Sequence, residues 1–222
     1  MNTIDSSLFH HVVQPEPMSP GPHPTLILLH GRGADEEDLL GLSEYLDNRL
    51  LLISPRAPFP FSVGGGYTWY DAGTLGEPDP AMFRTSYDAL CTFLDDILRS
   101  YPVDPARLFL LGFSMGTVMS YALALTRPSL FRGVVANSGY VPEGTHLALQ
   151  WENLTRTEFF IAHGTADPVI PVSFGRRART MFEHAGASYL YREYPMAHQI
   201  GEESLADAAA WLSERLNTSE RS

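Results

Sequence analysis

Short runs of consecutive apolar residues recur along the chain at 25–29, 50–53, 108–111, 133–136, 158–162 and 188–191. Most are apolar at every position instead of every second one. That pattern predicts strands covered on both faces, as in a parallel sheet. Between several of them, apolar residues repeat at helical spacing over 36–47, 84–100, 114–126, 173–185 and 202–216. Strand and helix therefore alternate. The expected architecture is an α/β fold with a mostly parallel central sheet, right-handed crossovers and helices on both faces.

No linker or repeat interrupts the alternation, so residues 1–222 read as one domain. Residues 6–14 carry Leu8, Val12 and Val13 and are expected to add an edge strand within an N-terminal section, 1–24, that ends in a proline-rich turn. Residues 55–83 read as a long loop beside the site. Their core, from Pro55 to Pro80, lacks periodicity and holds Gly64, Gly65, Gly66, Trp69, Tyr70, Gly73 and Gly76.

Composition narrows the chemistry. The 26 acidic residues exceed the 15 basic ones, for a net charge of −11. Every basic residue is arginine, because the sequence contains no lysine. Nucleic-acid binding is disfavoured, and Schiff-base chemistry, a P-loop and a Ser-Lys dyad lack their side chain. The one cysteine, Cys91, cannot form an internal disulfide, and the N-terminal residues lack a signal-peptide pattern, so a cytoplasmic location is expected. No apolar run approaches bilayer-spanning length, so stable membrane insertion is not expected.

Gly112-Phe113-Ser114-Met115-Gly116 matches the G-x-S-x-G elbow, in which glycines permit a sharp strand-to-helix turn that lifts a serine clear of the sheet. It follows the run 108–111 and opens the helical pattern 114–126, which is the setting the motif requires. The alternative is a serine that merely caps the helix. A serine hydroxyl needs a base, and the base a carboxylate to fix its tautomer. Between Ser114 and the last helix the only aspartate is Asp167, and only His184 and His198 follow it. His184 falls in a helical run, whereas His198 lies in the loop after the run 188–191. Ser114, Asp167 and His198 would then all occupy loops at the carboxyl ends of parallel strands, where α/β sheets build sites. His30-Gly31-Arg32-Gly33 follows the run 25–29 at that same edge. The backbone N–H groups of Arg32 and Met115 are the candidate oxyanion donors.

These motifs, together with Trp69-Tyr70-Asp71 and His163-Gly164-Thr165-Ala166-Asp167, resemble the phospholipase/carboxylesterase family of α/β-hydrolases, which includes the acyl-protein thioesterases. The resemblance covers residue 25 to about residue 216. It implies the α/β-hydrolase fold, with Ser114 as nucleophile, Asp167 and His198 as its partners, and Arg32 and Met115 at the oxyanion. The family acts on short-chain esters, lysophospholipids and thioesters. The chain departs from the family at Met115 and Thr117, where glutamine and a second glycine are usual.

The remaining features have structural readings beside functional ones. Trp69, Tyr70 and Leu75 are candidates for a substrate pocket, with core packing as the alternative. Cys91 reads as a buried structural thiol and His30 and His163 as loop braces. No zinc pattern is present, so neither metal nor cofactor is expected. His10 and His11 read as surface residues, and Arg176, Arg177 and Arg179 as a solvated helix face. The expected function is a cofactor-independent serine hydrolase of small ester or thioester substrates. A non-catalytic binding protein on the same scaffold and an acyltransferase are the alternatives. A homodimer stays open.

Overall fold

The computed structural model describes residues 8–16 and 21–217. The expected edge strand appears as β1 (His10–Val13), while 6 and 7 and the middle of the proline-rich turn lie outside the described residues. The chain continues through β2 (His23–Leu29), a 3-10 helix (Leu39–Tyr45) and β3 (Leu51–Pro55). Two small hairpins follow, β4 (Phe59–Pro60) with β5 (Tyr67–Thr68) and β6 (Ala72–Thr74) with β7 (Glu77–Pro78). Next come α1 (Pro80–Ser100), β8 (Val103–Phe113), α2 (Met115–Thr126) and β9 (Gly133–Asn137). After a short 3-10 turn the chain forms β10 (Glu158–Gly164), α3 (Val172–His184), β11 (Tyr189–Tyr194) and α4 (Glu202–Asn217).

Seven strands form one sheet in the order β1-β3-β2-β8-β9-β10-β11, parallel except for the antiparallel edge strand β1. Its central strands explain the continuous apolar runs. Ile27 and Leu29 of β2 and Leu108 and Leu110 of β8 join the core on one face, under α1, α2 and α3. Leu26, Leu28, Phe109 and Leu111 join the core on the other, with Leu39 and Leu46 and with Trp211, Leu212 and Leu216 of α4. Side chains alternate between faces, but both faces are dry, so no polar alternation survives in the sequence.

Three boundaries differ from the sequence reading for local reasons. The pattern over 36–47 is a 3-10 helix, begun by an Asx turn in which the Asp35 carboxylate accepts the Glu37 N–H at 3.0 Å. Helix α1 starts at Pro80, so 80–83 belongs to the helix and not to the loop. Asp79 caps it by accepting the Met82 N–H at 2.8 Å, and Pro80 occupies the first helical position. The stretch from 55 to 80 holds two hairpins, whose strands of two or three residues are too short to register as periodicity.

Among the glycines of the described residues, the closest approach lies where α2 meets β2. A Cβ built on Gly116 would stand 1.8 Å from the Leu29 carbonyl oxygen, so only glycine lets the first turn of α2 rest on the end of β2. We predict that Gly116→Ala lowers the stability by at least about 3 kcal/mol, because the atom it must displace is backbone. Gly41→Ala, where nothing lies within 4 Å of the new carbon, should change it by no more than about 0.5 kcal/mol. Urea unfolding of the two variants measures the contrast.

Candidate active site

Strand β8 ends at Phe113, and the chain turns into α2 through Ser114, whose φ of 55° and ψ of −117° put a non-glycine residue in a sparsely populated conformation. Such a conformation costs on the order of 1–3 kcal/mol and persists only where surroundings over-determine it. Here they do. The Ser114 N–H donates to the Asn137 carbonyl at 3.0 Å, and the Thr117 hydroxyl donates to that same carbonyl at 2.7 Å. The Asn137 side-chain amide reaches back to the Gly112 carbonyl at 3.3 Å. Ser114 makes no side-chain cap bond, which leaves its hydroxyl for another partner.

That partner is His198, whose Nε2 lies 2.9 Å from the Ser114 Oγ. Its Nδ1 lies 2.7 Å from Asp167 Oδ2. A carboxylate accepts, so Nδ1–H donates and Nε2 presents its lone pair to the serine hydroxyl. The Phe113 ring packs beside the imidazole, 4.9 Å between centroids. Asp167 is buried, and its second oxygen accepts the N–H groups of Val169 and Ile170, both at 2.8 Å. Fixed donors thus compensate the ion for lost water.

The loops bearing Asp167 and His198 are laced together. Thr165 N–H donates to Tyr194 O at 2.8 Å and Ala166 N–H to Met196 O at 3.1 Å. A Cβ at Gly164 would lie 2.4 Å from the carbonyl oxygens of Met196 and Ala197, so glycine allows this approach. His163 is buried beneath, with Nε2–H donating to Ile170 O at 2.8 Å.

On the other side of Ser114 runs the segment 30–34. Its chain passes so close that a Cβ on Gly31 would sit 3.5 Å from Ser114 Cβ. Among the described residues, the backbone N–H groups of Arg32 and Met115 donate to no acceptor in the fold. Three contacts hold the segment from behind. His30 Nδ1–H donates to Gly31 O at 2.7 Å and its Nε2 accepts the Ala57 N–H at 3.0 Å. Trp69 Nε1–H donates to His30 O at 2.9 Å. A further bond runs from Gly33 N–H to Tyr67 O at 2.8 Å.

The other sequence candidates find their places here. Trp69 and Tyr70 are fully buried, so neither ring presents a face to a ligand. Their aromatic character serves the brace and the core. Leu75 is exposed at the tip of the β6–β7 hairpin. His30 and His163 brace loops. Cys91 is half-buried against the core, and His10 is half-buried with Nε2 2.8 Å from the Tyr101 hydroxyl, because β1 lays it over Phe93. Arg176 and Arg177 are exposed and ion-paired with Glu193 and Glu143, and Arg179 lies over Tyr191. Sequence reasoning missed Asn137 as the anchor of Ser114, although it directly follows the run 133–136 at the same sheet edge.

Residues 11–216 match the family model described as Phospholipase/Carboxylesterase. The chain belongs to the phospholipase/carboxylesterase family. It is thereby a hydrolase of the broad class that spans esterases and thioesterases. Within this family it is 30% identical to acyl-protein thioesterase 1 of Debaryomyces hansenii over 74% of this chain and 75% of that protein. It is 26% identical to acyl-protein thioesterase 1 of Saccharomyces cerevisiae over 87% and 93% of the two chains. The Bacillus cereus carboxylesterase structure superposes with a TM-score of 0.81 at 24% identity, covering 95% of this chain and 96% of that one, which shows the α/β-hydrolase fold. No helix among the described residues is long and apolar enough to cross a membrane.

The braces carry a pH dependence. Burial lowers the pKa of both His30 and His163 from the ordinary 6.5, so both stay neutral in the fold while unfolded chains take up protons near 6.5. Stability is therefore complete above that pH and declines as pH falls below it, by up to about 1.4 kcal/mol per pH unit for each histidine. Urea midpoints between pH 8 and 5 should show the decline, and His163→Gln should make it shallower although the variant starts less stable.

Proposed function

We propose that this protein cleaves carboxylic esters of short to medium acyl chains, with thioesters and lysophospholipids in the same chemical reach, through an acyl-enzyme on Ser114. The observation that carries the reading is the unbroken Ser114–His198–Asp167 hydrogen-bond chain, 2.9 and 2.7 Å. His198 Nε2 takes the hydroxyl proton as Ser114 Oγ attacks the acyl carbon. Asp167 holds the tautomer and stabilises the imidazolium. The N–H groups of Arg32 and Met115 receive the oxyanion, each contributing about 3–4 kcal/mol to lowering the barrier. His198 then returns the proton to the departing alcohol or thiol, and water, deprotonated by the same imidazole, releases the acid.

The scheme draws on the chain, the substrate and water alone. Support comes also from the strained Ser114 backbone, which a simple helix cap does not need. Residues 1–222 act in this reading as one catalytic domain. Cys91, with no second cysteine to pair with, suits a reducing compartment such as the cytoplasm.

Turnover of 4-nitrophenyl butyrate should fall by roughly five to six orders of magnitude in a folded Ser114→Ala protein. Asp167→Asn should cost about 10³–10⁴ in kcat, since the imidazole loses its tautomer. A fluorophosphonate should label Ser114 in the wild type, read by peptide mass spectrometry. Wild-type turnover in Ser114→Ala, or absence of labelling in a folded protein, would count against an acyl-enzyme and in favour of a binding role.

A further inference from the structure

One cation stands unclaimed at the mouth of this site. In a chain of net charge −11, many arginines are neutralised by close carboxylates, among them Arg49 by Asp47, Arg56 by Glu36, Arg176 by Glu193 and Arg177 by Glu143. Arg179 on α3 and Arg192 on β11 have no such partner among the described residues, but neither belongs to the 30–34 segment that borders Ser114. Arg32 is exposed and has no carboxylate partner among the described residues. Its guanidinium sits 5.7 Å from the centroid of the Phe61 ring, a platform that engages one face and leaves the N–H edge free. Its backbone borders Ser114 through Gly31, as described above.

We infer that the side chain of Arg32 selects esters that carry a carboxylate a few bonds from the scissile carbonyl. The inference rests on the esterase reading, in which Arg32 already contributes its backbone amide. The side chain adds something separate, a planar fork that pairs with a carboxylate held beside the reacting centre. Orientation by such a pair raises kcat/KM for charged esters over neutral ones of equal size.

The test compares monoethyl succinate with ethyl pentanoate, which places the charge on the acyl part, and acetoxyacetate with propyl acetate, which places it on the alcohol part. Release of alcohol or acid is followed by chromatography. Wild-type enzyme at low salt should favour the charged member of at least one pair by about tenfold or more in kcat/KM. That ratio should fall toward one in Arg32→Gln, be partly retained in Arg32→Lys, and shrink in 0.5 M NaCl as screening sets in. Because the readout is a ratio within each variant, a general loss of turnover from a disturbed oxyanion loop does not imitate the effect. Neutral esters preferred in both pairs, or a preference that survives Arg32→Gln unchanged, overturns the inference while leaving ester hydrolysis intact. Binding decides the matter apart from catalysis. In Ser114→Ala, monoethyl succinate should bind by NMR titration more tightly than ethyl pentanoate, and the double variant Ser114→Ala/Arg32→Gln should lose the difference. Equal binding in both overturns it even if no ester proves to be a substrate.

Discussion

The structure turns on a contact with no spare room: the first turn of α2 against the carbonyl end of β2. Gly116 leaves no space for even one more carbon beside Leu29 O. That approach brings two segments distant in sequence, the elbow and the 30–34 loop, to the same few ångströms of sheet edge. The 30–34 segment then borders Ser114 through Gly31, and among the described residues the N–H groups of Arg32 and Met115 donate to no acceptor. Close backbone packing, not any single attractive interaction, sets these two unpaired donors at the sheet edge.

The remainder of the site is held by polar groups whose neutrality matters as much as their position. His30 uses one ring nitrogen as donor and the other as acceptor. A protonated ring would have two donors, and the Ala57 N–H would lose its acceptor. His163 does similar work under the Asp167 loop. Two buried imidazoles therefore brace the two sides of Ser114, while a third, His198, stays half-buried with its Nε2 against the Ser114 hydroxyl.

The hairpins between β3 and α1 explain why so irregular a segment persists. Tyr67 and Trp69 tie them to the 30–34 loop, and the Arg56 guanidinium lies 4.5 Å over the Phe9 and Tyr67 rings while pairing with buried Glu36. A long stretch without periodicity is thus a scaffold for the 30–34 segment beside Ser114. Trp69 and Tyr70 are buried as structural members, and the exposed tips, Val63 and Leu75, face solvent.

Much of this was readable from residue order, because apolar runs, helical spacing and glycine-flanked motifs are local properties. The parallel sheet, the elbow at Ser114, the loop position of His198 and the singular Asp167 needed only neighbours along the chain. Other features had no local signal. Asn137 acts through its backbone carbonyl, which every residue possesses, so its side chain advertised little. Trp69 and Tyr70 carried a composition that suits a pocket and a core equally, and only solvent exposure separates the two. The distances joining Ser114, His198 and Asp167, and the unpaired state of Arg32, are sums over contacts between segments tens of residues apart. Sequence by itself determined which chemical groups the protein owns and at which sheet edge they emerge; tertiary packing alone decided which of them touch, which are neutralised, and which are left to meet a ligand.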